Sequence, residues 1–236
     1  MGPAAAFFDV DRTLVVATSL ESCFLRFARR QKAISLLALG RNLWTGLAAL
    51  GLWAARGKDR IPIPAGLSFT TRLRYAFLSG NKSYLRGLDL ETCLSLAEAA
   101  FRNEVLSHLS RLGEERVRWH QSEGRRVVLL TGTLDFLGEP LRAYLKADCL
   151  LAARPEVVSG RLTGRLSEPH PYGARKRDLL LGLAEREGLD LGACYAYADH
   201  HTDVPFLEAV GHPVAVNPER QLERIARVQG WPMERF

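Results

Sequence analysis

The chain reads as an α/β protein, a parallel sheet covered by helices, with a helical segment inserted after the first strand. Three observations predict this. From Arg125 onward, short apolar runs alternate with amphipathic stretches over short connections, the pattern of strands crossing over through helices. The buried-type run Ala5-Ala6-Phe7-Phe8 stands alone, because helical periodicity dominates from Leu14 to about Gly124. Two apolar runs, the one before Asp9 and Tyr195-Ala196-Tyr197-Ala198 before Asp199, end in a carboxylate. Open α/β sheets bind ligands at the carboxyl ends of their strands, where such residues are tolerated. The expected division is a core of residues 1–14 and 125–236 and a helical unit of residues 15–124.

Taken in order, the second strand is Val127 to Leu130, followed by Thr131-Gly132-Thr133 as a turn leading into a helix over Phe136 to Leu145. Asp148 to Ala152 is a short strand, and Val157 to Gly164 a hairpin turning at Gly160. Arg175 to Glu187 forms an amphipathic helix stopped by Gly188. Ala193 to Ala198 is a strand, Val204 to Ala209 a short helix and Pro213 to Val216 a strand. Pro218 is placed to open a last helix running to about Gln229. Within the insertion, helices are expected over Ser19 to Leu52, Phe69 to Phe77, Leu90 to Leu112 and Glu115 to Ser122, with a break at Arg60-Ile61-Pro62-Ile63-Pro64-Ala65-Gly66.

At 236 residues the chain can bury a sizeable core. Its net charge of +6 comes almost wholly from arginine, since Lys32, Lys58, Lys82, Lys146 and Lys176 are the only lysines. A basic balance suits anionic partners, but no aromatic-interleaved basic stripe is present, so nucleic acid is not an expected partner. Cys23, Cys93, Cys149 and Cys194 form no CxxC pair; they argue against a zinc site or a disulfide framework and fit a reducing cytoplasm. No signal peptide is expected from the first residues.

Chemistry concentrates at four places. Asp9 and Asp11 share a face at the tip of the first strand and can reach one metal or one phosphoryl group. The hydroxyl of Thr131 and the backbone N–H groups after it, Gly132 included, can hold phosphate oxygens. Lys176, at the start of a helix, opposes the helix dipole unless something negative lies beside it. Asp199 ends a strand, and Asp203 follows at a short helix start, where it can cap the helix while facing the site. Asp199 with Asp9 offers hard oxygen ligands of the kind Mg²⁺ takes. His200 and His201 are expected to point apart and to be turn residues rather than zinc ligands.

In this order, strand–Asp-x-Asp-x-Thr (Asp9, Asp11, Thr13), strand–Thr-Gly (Thr131, Gly132), Lys176 and strand–Asp-x-x-x-Asp (Asp199, Asp203) resemble the four motifs of the haloacid dehalogenase (HAD) superfamily. The resemblance covers nearly the whole chain and is closest to the phosphoserine-phosphatase-like branch, subfamily IB. It implies a Rossmann-like parallel-sheet core with an α-helical cap inserted after the first motif. It also implies a magnesium-dependent phosphatase in which Asp9 becomes an aspartyl-phosphate and Asp11 acts as acid, then base. Thr131, Gly132 and Lys176 would hold the phosphoryl oxygens; Asp9, Asp199 and the backbone carbonyl of Asp11 would bind Mg²⁺, supported by Asp203. The expected substrate is a small phosphate monoester. Phosphoserine phosphatases of this type carry a glutamate nine residues after the nucleophile; Thr18 stands there, and Glu21 lies three positions on. His200 occupies a place where a small residue is expected.

The run Ala33 to Ala55 is mostly apolar and long enough to span a bilayer. Arg41 and Asn42 near its middle argue against spanning, and a buried cap helix is preferred. An alternative places this run peripherally on an anionic membrane, which would make the substrate a lipid phosphate such as a phosphatidylglycerophosphate or lysophosphatidate. A further alternative is a phosphotransferase that passes the phosphoryl group to an alcohol.

Overall fold

The computed structural model describes residues 2–35, 38, 40 and 82–236. Its main feature is a six-stranded sheet built from β1 (Ala5–Phe8), β2 (Arg126–Leu134), β3 (Cys149–Ala153), β6 (Tyr195–Ala198), β7 (His212–Val216) and β8 (Met233–Glu234). The strand order is β3-β2-β1-β6-β7-β8, and every pairing is parallel. The chain leaves β1 for β2 on one side and later returns to β6 on the other. The carboxyl end of β1 is therefore a topological switch point, where open α/β sheets leave a crevice.

The apolar strands divide their side chains between two faces, as the period of two requires. Ala6, Phe8, Val127, Leu129 and Tyr197 point to one core, and Ala5, Phe7, Val128, Leu130 and Ala196 to the other. The first face is covered by α1 (Leu20–Arg30), α2 (Leu90–Ala100), α3 (Arg111–Ser122) and α4 (Asp135–Leu145), through residues such as Phe24, Ala97, Val117 and Leu141. The second is covered by α5 (Ala174–Glu187), α6 (Val204–Leu207) and α7 (Arg220–Gln229), through Leu180, Leu183, Phe206, Leu222 and Ala226. Burial on both faces explains why these strands read as continuous apolar runs.

The described residues between β1 and β2 are mainly helical, with different boundaries from those the periodicity predicts. Ser19 caps α1 by accepting the Ser22 N–H, and the helix ends at Arg30, where the chain turns and leaves the helix over residues 31–35 instead of continuing the expected one; residues 36, 37, 39 and 41–52 of that expected helix, and all of Phe69 to Phe77, lie outside the described residues. The expected helix over Leu90 to Leu112 is interrupted. It loosens into a π turn over Phe101–Val105 and a 3₁₀ turn over Leu106–His108. Ser110 then starts α3 by accepting the Gly113 N–H at 3.1 Å, so that helix begins at Arg111 rather than Glu115. Packing explains the break, because Leu109 is extended and bridges Val15 behind β1.

Helix α3 lies on the sheet itself. Its His120 meets the buried Tyr197 hydroxyl at 2.8 Å, and its Arg116 grips Glu234 of β8 with two nitrogens. Burial lowers the His120 pKa to about 3, so the imidazole is neutral there. The hairpin of β4 (Pro155–Val158) and β5 (Arg161–Leu166) forms a separate antiparallel pair. Ser159 (φ 49°) and Gly160 (φ 76°) both take positive φ, as a two-residue turn of type I′ requires. Its Gly164 (φ 81°) faces the 82–88 segment so closely that a Cβ would lie 2.9 Å from the Ser83 Cα. Among the described residues no helix is long and apolar enough to cross a membrane. Apart from Ala33, Ile34, Ser35, Ala38 and Gly40, the apolar run to Ala55 lies outside the described residues.

Candidate active site

Asp9 follows β1 directly, and its N–H still donates to the Tyr197 carbonyl at 2.9 Å, which extends the pairing with β6. The chain then curls: the Val10 carbonyl accepts from the N–H groups of Leu14 and Val15 at 2.9 and 3.0 Å, and Arg12 takes φ 68°. This reversal leads the Asp11 carboxylate to the first N–H of α1, that of Leu20, at 2.8 Å. The other Asp11 oxygen accepts the Thr133 hydroxyl at 2.6 Å. Asp9 accepts the Thr13 hydroxyl at 3.2 Å with one oxygen and faces Lys176 with the other.

Lys176 lies in the first turn of α5, behind Gly173 at φ 56°. Its ammonium reaches Asp9 Oδ1 and Asp203 Oδ2, each at 2.7 Å, with all three side chains at most 7% exposed. The conflict with the helix dipole is thus removed by two carboxylates. Burial alone would lower the Lys176 pKa, but Asp203 and Asp9 outweigh it and hold the amine above its usual range. Asp203 stands before α6 without capping it through its side chain. That expectation is corrected because the carboxylate is taken by Lys176.

Asp199, at the tip of β6, is buried, with the Arg12 guanidinium at 3.6 Å. Burial, followed by the nearby Asp9 and Asp203, raises its pKa to about 8. Burial likewise raises Asp9 even though Lys176 pulls against it, and raises Asp11 to about 6. Asp9, Asp199 and Asp203, all buried, thus share one buried ammonium and one half-exposed guanidinium. That shortage of positive charge, met by hard oxygen donors, fits a divalent cation of the Mg²⁺ kind, which the Asp9 and Asp199 carboxylates could hold.

Thr131 and Gly132 do not form the expected turn before a helix. Strand β2 continues to Leu134, with a shift of register against β3 between Leu130 and Leu134, and α4 starts only at Asp135. The bulge re-aims the strand next to the crevice. Thr131 is fully buried, with its hydroxyl accepting the Thr133 N–H at 3.0 Å. A Cβ on Gly132 would lie 2.7 Å from His170 Cε1, so a side chain there would displace the His170 ring.

The sequence gives no role to four further residues at or near the site. Thr133 sits two residues after Thr131 on the same strand, a spacing that places both on one face. Thr13 belongs to the Asp-x-Asp-x-Thr run. Glu21 is engaged by Lys82 at 2.8 and 2.7 Å and by the Tyr84 hydroxyl. Burial disfavours the Glu21 charge, but Lys82 outweighs it and holds the carboxyl below its usual range. No sequence signal links Glu21 to residues about 61 positions away. Thr18 turns instead to Cys23 and Arg26.

The expectation that His200 and His201 point apart is overturned. Both imidazoles face Glu219, which stands before α7: His200 Nε2 at 3.3 Å from one carboxylate oxygen, and His201 Nδ1 against the other. His200 also accepts the Thr202 N–H, which starts the turn His201–Asp203.

A switch-point crevice with buried carboxylates and a lysine defines an α/β enzyme that handles an anionic group. The model of the haloacid dehalogenase-like hydrolase family matches residues 6–208, and the chain belongs to that family. It is an enzyme of the phosphatase type within it, and phosphoserine-phosphatase-like in sequence. A Streptomyces azureus protein named inhibition of morphological differentiation protein is 34% identical over 98% of this chain and 78% of its own length. A Mycobacterium tuberculosis protein named phosphoserine phosphatase is 31% identical over 99% of this chain and 71% of its own. A solved structure of a phospho-aspartyl intermediate analogue of phosphoserine phosphatase shares the fold, with a TM-score of 0.61 at 20% identity over 99% of this chain and 93% of that one.

Proposed function

We propose that the protein hydrolyses a small phosphate monoester through an aspartyl-phosphate on Asp9, with Mg²⁺ as cofactor. The observation that carries this reading is the pair of environments given to Asp9 and Asp11. Asp9 Oδ1 is fixed by the Lys176 ammonium at 2.7 Å, which favours the anion a nucleophile needs. Asp11 is held apart from that lysine, on the Thr133 hydroxyl and the Leu20 N–H. Its carboxyl, raised to about 6 by burial, suits proton transfer near neutrality.

In this account Asp9 attacks phosphorus in line with the leaving oxygen, and Asp11 gives that oxygen its proton. The Asp11 carboxylate then takes a proton from the water that attacks the aspartyl-phosphate. Lys176 and the Thr131–Gly132 backbone hold the phosphoryl oxygens, and Asp203 keeps Lys176 in place. Bound by Asp9, Asp199 and the Asp11 carbonyl, Mg²⁺ would supply charge neutralisation at those oxygens, which phosphoryl transfer requires more than covalent machinery. We further propose that residues 15–124 act as a cap unit on a core of 1–14 and 125–236, with α3 of that unit seated on the sheet.

The substrate reading turns away from phosphoserine. Thr18 offers no carboxylate for a substrate amine, and Glu21 is neutralised by Lys82 and Tyr84. A substrate without a free amine next to its phosphate fits better. The test is hydrolysis of a generic aryl phosphate with and without Mg²⁺ by wild type and Asp9→Asn. The expected result is Mg²⁺-dependent turnover that the substitution abolishes in a folded protein; turnover retained by the variant would sink the mechanism.

A further inference from the structure

His200, His201 and Glu219 form a second cluster beside the catalytic carboxylates, and the phosphatase reading gives it no task. Their ligand atoms all lie within 4.8 Å of one another. His200 Nε2 and Glu219 Oε2 are 3.3 Å apart. Bonds of about 2.0–2.1 Å to a tetrahedral ion put neighbouring ligand atoms about 3.3 Å apart, so this pair already stands at ligand spacing, while His201 Nδ1, in closer contact with the other Glu219 oxygen, draws back to admit an ion. The imidazoles sit close, with ring centroids 4.4 Å apart at 34°.

The cluster is held from several sides. The Glu219 carboxylate accepts the His201 backbone N–H at 3.1 Å, and the Glu219 N–H donates to the Asp199 carbonyl at 3.0 Å. The His200 Nδ1 lies 2.9 Å from the Thr202 hydroxyl. That nitrogen accepts the Thr202 N–H at 3.3 Å; metal binding through Nε2 moves the ring proton to Nδ1, which then donates to the Thr202 hydroxyl, the outer partner a metal-binding imidazole uses. The side chains are 16%, 18% and 29% exposed in the order His200, His201, Glu219. An ion can therefore enter from solvent and keep water on its remaining positions.

We propose that His200 Nε2, His201 Nδ1 and the Glu219 carboxylate form a binding site for a borderline divalent ion of the Zn²⁺ kind, separate from the carboxylate site. Two imidazoles and one carboxylate favour such ions over Mg²⁺, which takes oxygen donors. The Glu219 N–H bond to the Asp199 carbonyl ties the cluster to the loop that carries Asp199, so occupancy braces that loop. The inference does not rest on the phosphatase reading, because its ligands and its test are independent of turnover.

The experiment is competition for Zn²⁺ between the purified full chain and a chromophoric chelator, in excess Mg²⁺ so that the oxygen-donor site is occupied. One Zn²⁺ per chain is expected, with affinity falling about tenfold or more in His201→Ala and in Glu219→Gln, and unchanged in Asp9→Asn. Co²⁺ added to the unaltered protein should give the visible absorption of a nitrogen-ligated ion, which keeps the test decisive if a variant fails to fold. The proposal is overturned if the wild type takes no Zn²⁺ from the chelator, or if His201→Ala binds it as tightly. It is equally overturned if Co²⁺ shows only the spectrum of the hydrated ion. Those results would leave the cluster as an ion pair alone.

Discussion

Replacing Lys176 by methionine removes the ammonium that faces Asp9 and Asp203 while keeping an unbranched side chain of similar length. The two carboxylates sit at 2.7 Å from it and all three groups are nearly fully buried, so solvent does little to soften the loss. Deleting one member of a buried ion pair costs about 3–5 kcal/mol, because the remaining charge is left uncompensated. For a chain of this size about 2–4 °C accompanies each kcal/mol, so Tm near neutral pH should fall by about 6–20 °C. The sign with pH is fixed by the carboxylates. Without the lysine the folded-state pKa of Asp9, already raised by burial, rises further above the unfolded value of about 3.9, so the penalty is fully present above the folded value and fades as pH falls toward the unfolded one. Thermal melts of wild type and variant at about pH 8 and about pH 5 should therefore converge toward acid. Adding Asp203→Asn to the variant should recover part of the loss, with a coupling above about 0.5 kcal/mol. A neutral-pH loss under about 1 kcal/mol, or one that does not shrink on acidification, would refute the reasoning.

The remaining expectations concern chemistry and fit. Asp11→Asn should slow hydrolysis of an alkyl phosphate by about 10²–10⁴-fold and an aryl phosphate with a good leaving group much less, in side-by-side steady-state assays. Equal losses on the two substrates would contradict the general-acid role. Thr133→Val removes a hydroxyl that favours the Asp11 anion, so the pKa of Asp11 should rise. The alkaline limb of single-turnover alkyl phosphate cleavage, near pH 6 in the wild type, should then move upward; a limb that stays or moves down contradicts the pairing. Gly132→Ala places a Cβ at 2.7 Å from His170 and should cost about 1–3 kcal/mol in denaturant unfolding, with phosphate affinity reduced as well. Asp199→Asn should remove the response to Mg²⁺ while leaving the unfolding free energy at neutral pH within about 1 kcal/mol of wild type, since burial already raises that carboxyl to about 8.

Much of the sheet was legible because strands buried on both faces carry continuous apolar runs, and the tips of β1 and β6 carry aspartates that such runs do not otherwise tolerate. Asp9, Lys176, Asp199 and Asp203 converge as the order of the motifs suggests. What stayed hidden depends on tertiary contacts. The extension of β2 through Thr131 and Gly132 is a bulge, and turn chemistry alone cannot distinguish a bulge from a strand end. The two-residue strand β8 exists because Met233 and Glu234 find an open edge at β7, with no periodicity to announce it. The helical run that begins with α2 stops at His108, because Leu109 is extended and bridges Val15 behind β1, so an unbroken helical pattern misplaced its boundary. His200 and His201 would diverge on a regular element, but they do not lie on one. They sit instead at a turn that Glu219, eighteen residues on, closes from outside.

The central claim is that the phosphoryl group passes through Asp9 before reaching water. The stereochemical course at phosphorus, measured with a monoester made chiral by oxygen isotopes, tests this whether or not the intermediate accumulates. Two in-line displacements, first by Asp9 and then by water, give net retention, which is the expected result. Net inversion would mean that water attacks the substrate directly and would contradict the account.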